Sequence, residues 1–456
     1  MTPKRPINAD VPAPEEKEPK ATAKPARPEE KTAEKPAKPA KQPKAARKRE
    51  PKPAAPKALA ALVVLALAFI AAAIVFGSGG EGDQDATSPA PAPAPAPADT
   101  AEADEPVSAQ TAEALGYPSF ATNNTVRIGG SDPAANAAGA ALAAFPSTTP
   151  EQRPSAVTIV GEDDWAGAIA ASVLMSAPVR APILFSGPEE IPEVSEEALA
   201  ALDPEGSEET GEAPLFAVGR LAYPGQAVPI DSGDPASTAA QIATLRDRLF
   251  GKAPEHIVVA SGSRPEFAMP AAAWAARSGD PVLYTDPGKL PAPTAAALRK
   301  HPKTPVYVLG PNEVISKDVF KEIGKVSKEV TRVSGEDAVA NALAFARYRD
   351  GDFGWNVNDP GHGFVLARSD SPADAAAAAP LSASGTWGPL LLTDDAETLP
   401  PTLRSYLLDV KPGYTTDPTR AFYNHVWVIG DQAAISVSQQ AEVDELAELA
   451  KIGSEE

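Results

Sequence analysis

The 456-residue chain contains no cysteine, which excludes disulfides, zinc–thiolate centres and cysteine nucleophiles. Of its 41 basic and 61 acidic residues, 16 and 8 fall in residues 1–57, a local charge of +8; the remaining 25 and 53 leave the rest at −28. So acidic a body lacks the clustered positive field that nucleic-acid binding requires, so no nucleic acid is expected as a partner.

Residues 1–57 repeat Lys-Pro-Ala units, as in Lys35-Pro36-Ala37-Lys38-Pro39-Ala40, with almost no large apolar side chains. Such a segment is predicted to be a disordered basic tail, because it has too little apolar surface to bury. Residues 58–76 then run for 19 positions without a charge or proline. As a helix they span about 28 Å, close to the hydrocarbon thickness of a bilayer, and predict a transmembrane helix. A cleaved signal peptide fits less well, since its basic leader is normally far shorter and no convincing Ala-x-Ala site follows. Arg47, Lys48, Arg49, Lys52 and Lys57 precede the span and Glu81, Asp83 and Asp85 follow it. That asymmetry places the N-terminus in the cytoplasm and the C-terminal body outside the cell. Residues 77–120 form a Pro/Ala-rich acidic stalk; its Pro-Ala run at 89–98 is extended by about 31 Å at the polyproline-II rise.

From residue 126 the chain repeats three times, with expected limits 121–227, 228–329 and 330–456. Each copy opens on a glycine turn before an Ala-rich helix. Arg127, Gly130, Asp132 and Asn136 in the first copy recur at the same spacing as Arg332, Gly335, Asp337 and Asn341 in the third. The second, around Gly233 and Asp234, is one residue shorter and lacks the arginine. A strand and a small-residue helix follow in each copy, the helix including Asp164-Trp165-Ala166-Gly167, Glu266-Phe267-Ala268-Met269 or Ser371-Pro372-Ala373-Asp374. Then come the strands Pro182-Ile183-Leu184-Phe185, Pro281-Val282-Leu283-Tyr284 and Pro389-Leu390-Leu391-Leu392. Helices open at Pro192, Pro291 and Pro400, and a last strand runs into Gly219, Gly310 or Gly430. Short apolar runs alternating with helices predict βαβ units and parallel sheets. Each copy is expected to cover both faces of its sheet with its own helices, the three then packing side by side about a pseudo-threefold axis.

Arg127 and Arg332 are candidate ligand-binding residues, because a guanidinium fork matches phosphate and carboxylate oxygens. The competing reading pairs them internally with Asp132 and Asp337 across the glycine turn. Asp132 and Asp337 stand where helices begin, so capping accounts for them, and the backbone N–H groups after Gly130, Gly335 and Asp370 offer anion sites of low specificity. Nothing assembles a catalytic centre. The four histidines have no metal-ligand spacing, Ser369 and Ser371 lack a nucleophile elbow, and no glycine-rich phosphate loop occurs, so no enzyme activity, metal or cofactor is expected. Of the five tryptophans, most are expected in the core, with sugar stacking as the alternative.

The order of these blocks resembles the type-two cell-wall-binding repeat, a family found as tandem triplets in clostridial surface-layer-associated proteins and in bacillar wall-lytic enzyme modifiers. The third copy matches best, with Val365-Leu366-Ala367, Ala373-Asp374-Ala375 and Val428-Ile429-Gly430-Asp431-Gln432-Ala433-Ala434-Ile435-Ser436. The resemblance implies three Rossmann-like units in one chain that bind an anionic wall polymer, teichoic-acid-like or another wall polysaccharide, without catalysis. It also marks Asp374 as the family's central-helix aspartate, with Gly167 and Met269 at the matching positions. The resulting expectation is a membrane-anchored α/β wall-binding protein of a Gram-positive-type bacterium. Its alternatives are an extracytoplasmic protein-interaction scaffold, which the acidic body favours, and a cryptic hydrolase using the acidic loops.

Overall fold

The structure, a computed structural model, describes residues 120–453 apart from Ser232, Gly385 and Thr386. The basic tail, the apolar span 58–76 and the stalk up to residue 119 lie outside the described residues. Among the described residues no helix is long and apolar enough to cross a membrane.

Strands β1 (Phe120–Ala121) and β2 (Thr125–Ile128) lead into α1 (Pro133–Ala144). The first repeat continues with β3 (Val157–Gly161), α2 (Trp165–Ala171), β4 (Ile183–Ser186), α3 (Glu193–Leu202) and β5 (Leu215–Val218). The second runs through β6 (Val228–Ile230), α4 (Pro235–Phe250), β7 (Ile257–Ser261), α5 (Pro265–Ala268) and α6 (Pro270–Ser278). It ends with β8 (Val282–Thr285), α7 (Ala292–Lys300), β9 (Val306–Leu309) and α8 (Lys317–Val326). The third comprises β10 (Val330–Val333), α9 (Ala338–Arg347), β11 (Gly363–Arg368), α10 (Pro372–Ala377), α11 (Ala379–Ala383) and β12 (Leu390–Thr393). It closes with α12 (Pro401–Asp409), β13 (Gly413–Tyr414), β14 (His425–Ile429), α13 (Val437–Ala447) and β15 (Ala450–Lys451).

The inner strands are four to six residues long, rich in Val, Ile, Leu and Phe, and buried along almost their whole length. That is the signature of a parallel sheet covered on both faces. Three such sheets form three lobes, with strand orders β4-β3-β5-β6, β8-β7-β9-β10 and β12-β11-β14-β2-β1. All pairings within them are parallel except β1 with β2.

The strand orders correct the expectation of self-contained repeats. The opening strand of each repeat completes the sheet of the lobe before it: Ile230 pairs with Val218 and Val333 with Leu309. The opening strand of the first repeat, β2, joins the third sheet, Ile128 opposite Ile429. The helix after each opening strand packs on the next lobe: α1 against β4 and α3, α4 against β8 and α7, α9 against β12 and α12. Each glycine turn therefore crosses a lobe boundary, and the handover of strands in cyclic order closes the three lobes into a ring.

The centre of the ring is built from α2, α5 with α6, and α10 with α11, which pack against one another. Alanine and glycine dominate their contact surfaces, from Ala166, Gly167 and Ala168 to Ala271, Ala272, Ala375 and Ala376, all buried. Helices that are apolar all round belong in an interior, and small side chains let their axes approach closely. Tyr284 ties two lobes directly, its hydroxyl donating to the Ala166 carbonyl at 2.8 Å.

Candidate functional site

The glycine turns are built alike. Asp132, Asp234 and Asp337 are N-caps, their carboxylates accepting from the backbone N–H of Ala135, Ser237 and Ala340. The Gly130 and Gly335 amides donate to the side-chain oxygens of Asn136 and Asn341, and Gly233 uses Thr238 in the same way. Both asparagines are buried and also reach across the lobe boundary. Asn136 Nδ2 donates to Asp374 Oδ1 at 2.8 Å, and Asn341 Nδ2 to the Phe267 carbonyl at 3.4 Å.

This pairing corrects one alignment. The central helices begin after Asp164, Arg264 and Ser371, so Asp374 stands level with Gly167 and Phe267, not with Met269. Pro265 at the first helical position sets the start in the second copy. Asp374 is 3% exposed, and burial pushes its carboxyl pKa up, opposed by hydrogen bonds from Asn136 and Ser371. It knots the first repeat to the third.

The two arginines do not pair with Asp132 or Asp337. Arg127 is 1% exposed, and it donates to the carbonyls of Gly430 (2.8 Å), Asp431 (2.7 Å) and Ile435 (2.6 Å) and to Gln440 Oε1 (3.0 Å). Arg332, half-buried, repeats the grip on Gly310 (2.5 Å) and Ile315 (2.8 Å). Burial lowers both pKa values, with Asp431 and Glu313 respectively opposing. In each case the guanidinium holds the turn between the last strand and the helix after it. The glycine that opens the turn has φ of +97° at Gly430 and +113° at Gly310, a conformation open chiefly to glycine. Arg127 is enclosed by these partners, so a polymer at the surface meets other side chains.

The first lobe departs from this plan. Pro229 stands where the arginines stand, and only residues 219–227 join β5 to β6, with no helix equivalent to α8 or α13. Alongside β6 runs an open groove of about 610 Å³, bounded by Val228, Pro229 and Leu245 and by the exposed cations Arg248 and Lys300. Residue-by-residue reading of the sequence missed both cations. The sequence sign of this change was the short, helix-poor interval after Gly219. Of the tryptophans, Trp274 and Trp355 are buried, Trp165 and Trp427 partly so, and Trp387 is 42% exposed.

Residues 230–320 and 332–440 match the family model described as cell wall binding domain 2. Among solved structures, Cwp8 from Clostridium difficile is similar with a TM-score of 0.54 at 19% identity, over 72% of this chain and 52% of that one. Cwp6 from Clostridium difficile is similar with a TM-score of 0.56 at 20% identity, over 71% and 48%. The chain thus spans about half the length of these structures, and the likeness is one of fold. No curated protein matches it.

Proposed function

We propose that this chain, in which residues 230–320 and 332–440 carry the cell wall binding domain 2 repeat, binds the bacterial cell wall through its ring of lobes and catalyses no reaction. The two family matches are the observation that carries the reading. Residues 58–76 serve as a membrane anchor with the N-terminus inside the cell, and the stalk sets the body, in repeats 121–227, 228–329 and 330–456, in the wall zone. The polymer implied by the sequence resemblance is anionic. In that version Arg248 and Lys300 supply the cationic contacts, because Arg127 and Arg332 are committed to carbonyls. The charge of −28 beyond residue 57 favours a second reading, a protein-interaction scaffold, since like charges repel a polyanion. Sedimentation of the purified chain with isolated walls, intact and stripped of anionic polymer, across a salt series, decides between them. Polymer-dependent, salt-sensitive pelleting supports the anionic version. Pelleting with neither preparation removes wall binding and leaves the scaffold.

A further inference from the structure

Where the second and third lobes meet, a cavity of about 310 Å³ gathers three of the five tryptophans, Trp274, Trp355 and Trp387. Trp387 keeps much of its large apolar surface in water, and the Arg277 guanidinium lies 4.1 Å from its ring centroid, a contact that orients the indole. Trp355 is 7% exposed, yet its buried indole N–H has no acceptor among the described residues. Buried donors are nearly always bonded, so this one is short of a partner. Asp280 lies at the back, held by Trp274 Nε1 (2.9 Å), the His256 amide (2.9 Å) and His256 Nδ1 (3.1 Å). Glu255 and Asp352 line the cavity as exposed carboxylates.

A pyranose ring fits this chemistry. Its C–H face packs on an indole, and its hydroxyls both donate to carboxylates and accept from N–H groups. The three carboxylates oppose an anion, with Arg277 as the lining cation among the described residues, besides any charge on His256. We propose that this cavity binds a neutral pyranose residue of a wall saccharide, with Trp387 as the stacking platform and the Trp355 N–H, Arg277 and the lining carboxylates as the polar edge. The inference deepens the wall-binding reading and rests on it only for where such a sugar is met.

The test is a tryptophan-fluorescence titration of the full chain in a detergent without a sugar headgroup. The probes are chitotriose, maltotriose and cellotriose, with the anionic trigalacturonate for contrast. A saturable change with at least one neutral trisaccharide and none with trigalacturonate is expected. Trp387→Ala, at an exposed position, should abolish it. Trp355→Phe, which keeps an aromatic ring but removes the N–H together with part of the indole, should weaken it at least about fivefold, the worth of one neutral hydrogen bond. Circular dichroism verifies that both variants fold. The inference is overturned by no saturable response to any neutral trisaccharide at millimolar concentration, by equal binding of trigalacturonate, or by folded variants that bind like the parent. Walls that still pellet the chain while every sugar fails would remove this site and spare wall binding. Sugar binding without pelleting would do the reverse.

Discussion

Replacing Arg127 by alanine should be among the most damaging single changes in the chain, and the damage should be to folding. The side chain closes the ring: it sits on β2 of the first repeat and holds the turn and helix that end the third, 303 to 313 residues away. Removing it leaves three backbone carbonyls and the Gln440 amide oxygen without this donor, in a site that is almost wholly buried. At roughly 1–3 kcal/mol for each group left unsatisfied, discounted for relaxation and water entry, the loss is on the order of 4 kcal/mol. Arg332→Ala removes two such bonds at a half-exposed site and should cost about half as much. Pro229→Ala, at the equivalent register of the first lobe and exposed, should stay within about 0.5 kcal/mol. Urea unfolding of the three variants followed by circular dichroism ranks them. If Arg127→Ala unfolds at the same midpoint as the parent while losing wall binding, the clamp assignment is wrong and the guanidinium serves a ligand.

Gly430→Ala should cost about 1–3 kcal/mol, since the new Cβ would demand a strained φ and lie 2.8 Å from the Ala434 Cβ. Gly324→Ala, inside α8 with nothing within 4 Å, should instead stabilise by about 0.5–1 kcal/mol; thermal melts compare the two. Asp374→Asn keeps an acceptor for Asn136 and removes a buried carboxylate. Burial raises the folded pKa, so the stability from Asp374 is complete below the ordinary carboxylate range and is lost as pH rises through the raised value. The variant should therefore melt above the parent at neutral pH, with the gap closing in acid, and a constant gap would refute the assignment. At His256 burial lowers the pKa, but the hydrogen bond and charge of Asp280 outweigh it and the net shift is upward. Its contribution is present below about 6.5 and lost as pH rises through the raised value, and Asp280→Asn should flatten that slope in melts across the window.

What the sequence made legible was local. The repeat spacing, the proline-led helices, the aspartate caps and the strands that stop at glycine all follow from neighbouring residues, and the structure reproduces them. The exchange of strands was not legible, because the partner of β2 is chosen by packing across the ring. The same distance hid the Asn136–Asp374 contact, 238 residues apart. The arginines looked like ligand groups because a strand position shows only that a side chain leaves the sheet. That α13 and the Gly430 turn close over Arg127 emerges only in three dimensions. Trp387 was indistinguishable by sequence from the buried tryptophans.

The ring as the binding unit is tested most directly by deleting the strand that closes it. Two chains, one beginning at residue 120 and one at residue 130, differ in β1 and β2 and retain every later element. Pelleted with isolated walls under the same conditions, the longer chain should bind and the shorter should not. Equal pelleting of the two would contradict the account, because the third lobe would then hold its shape, and the wall, without the first repeat's strand.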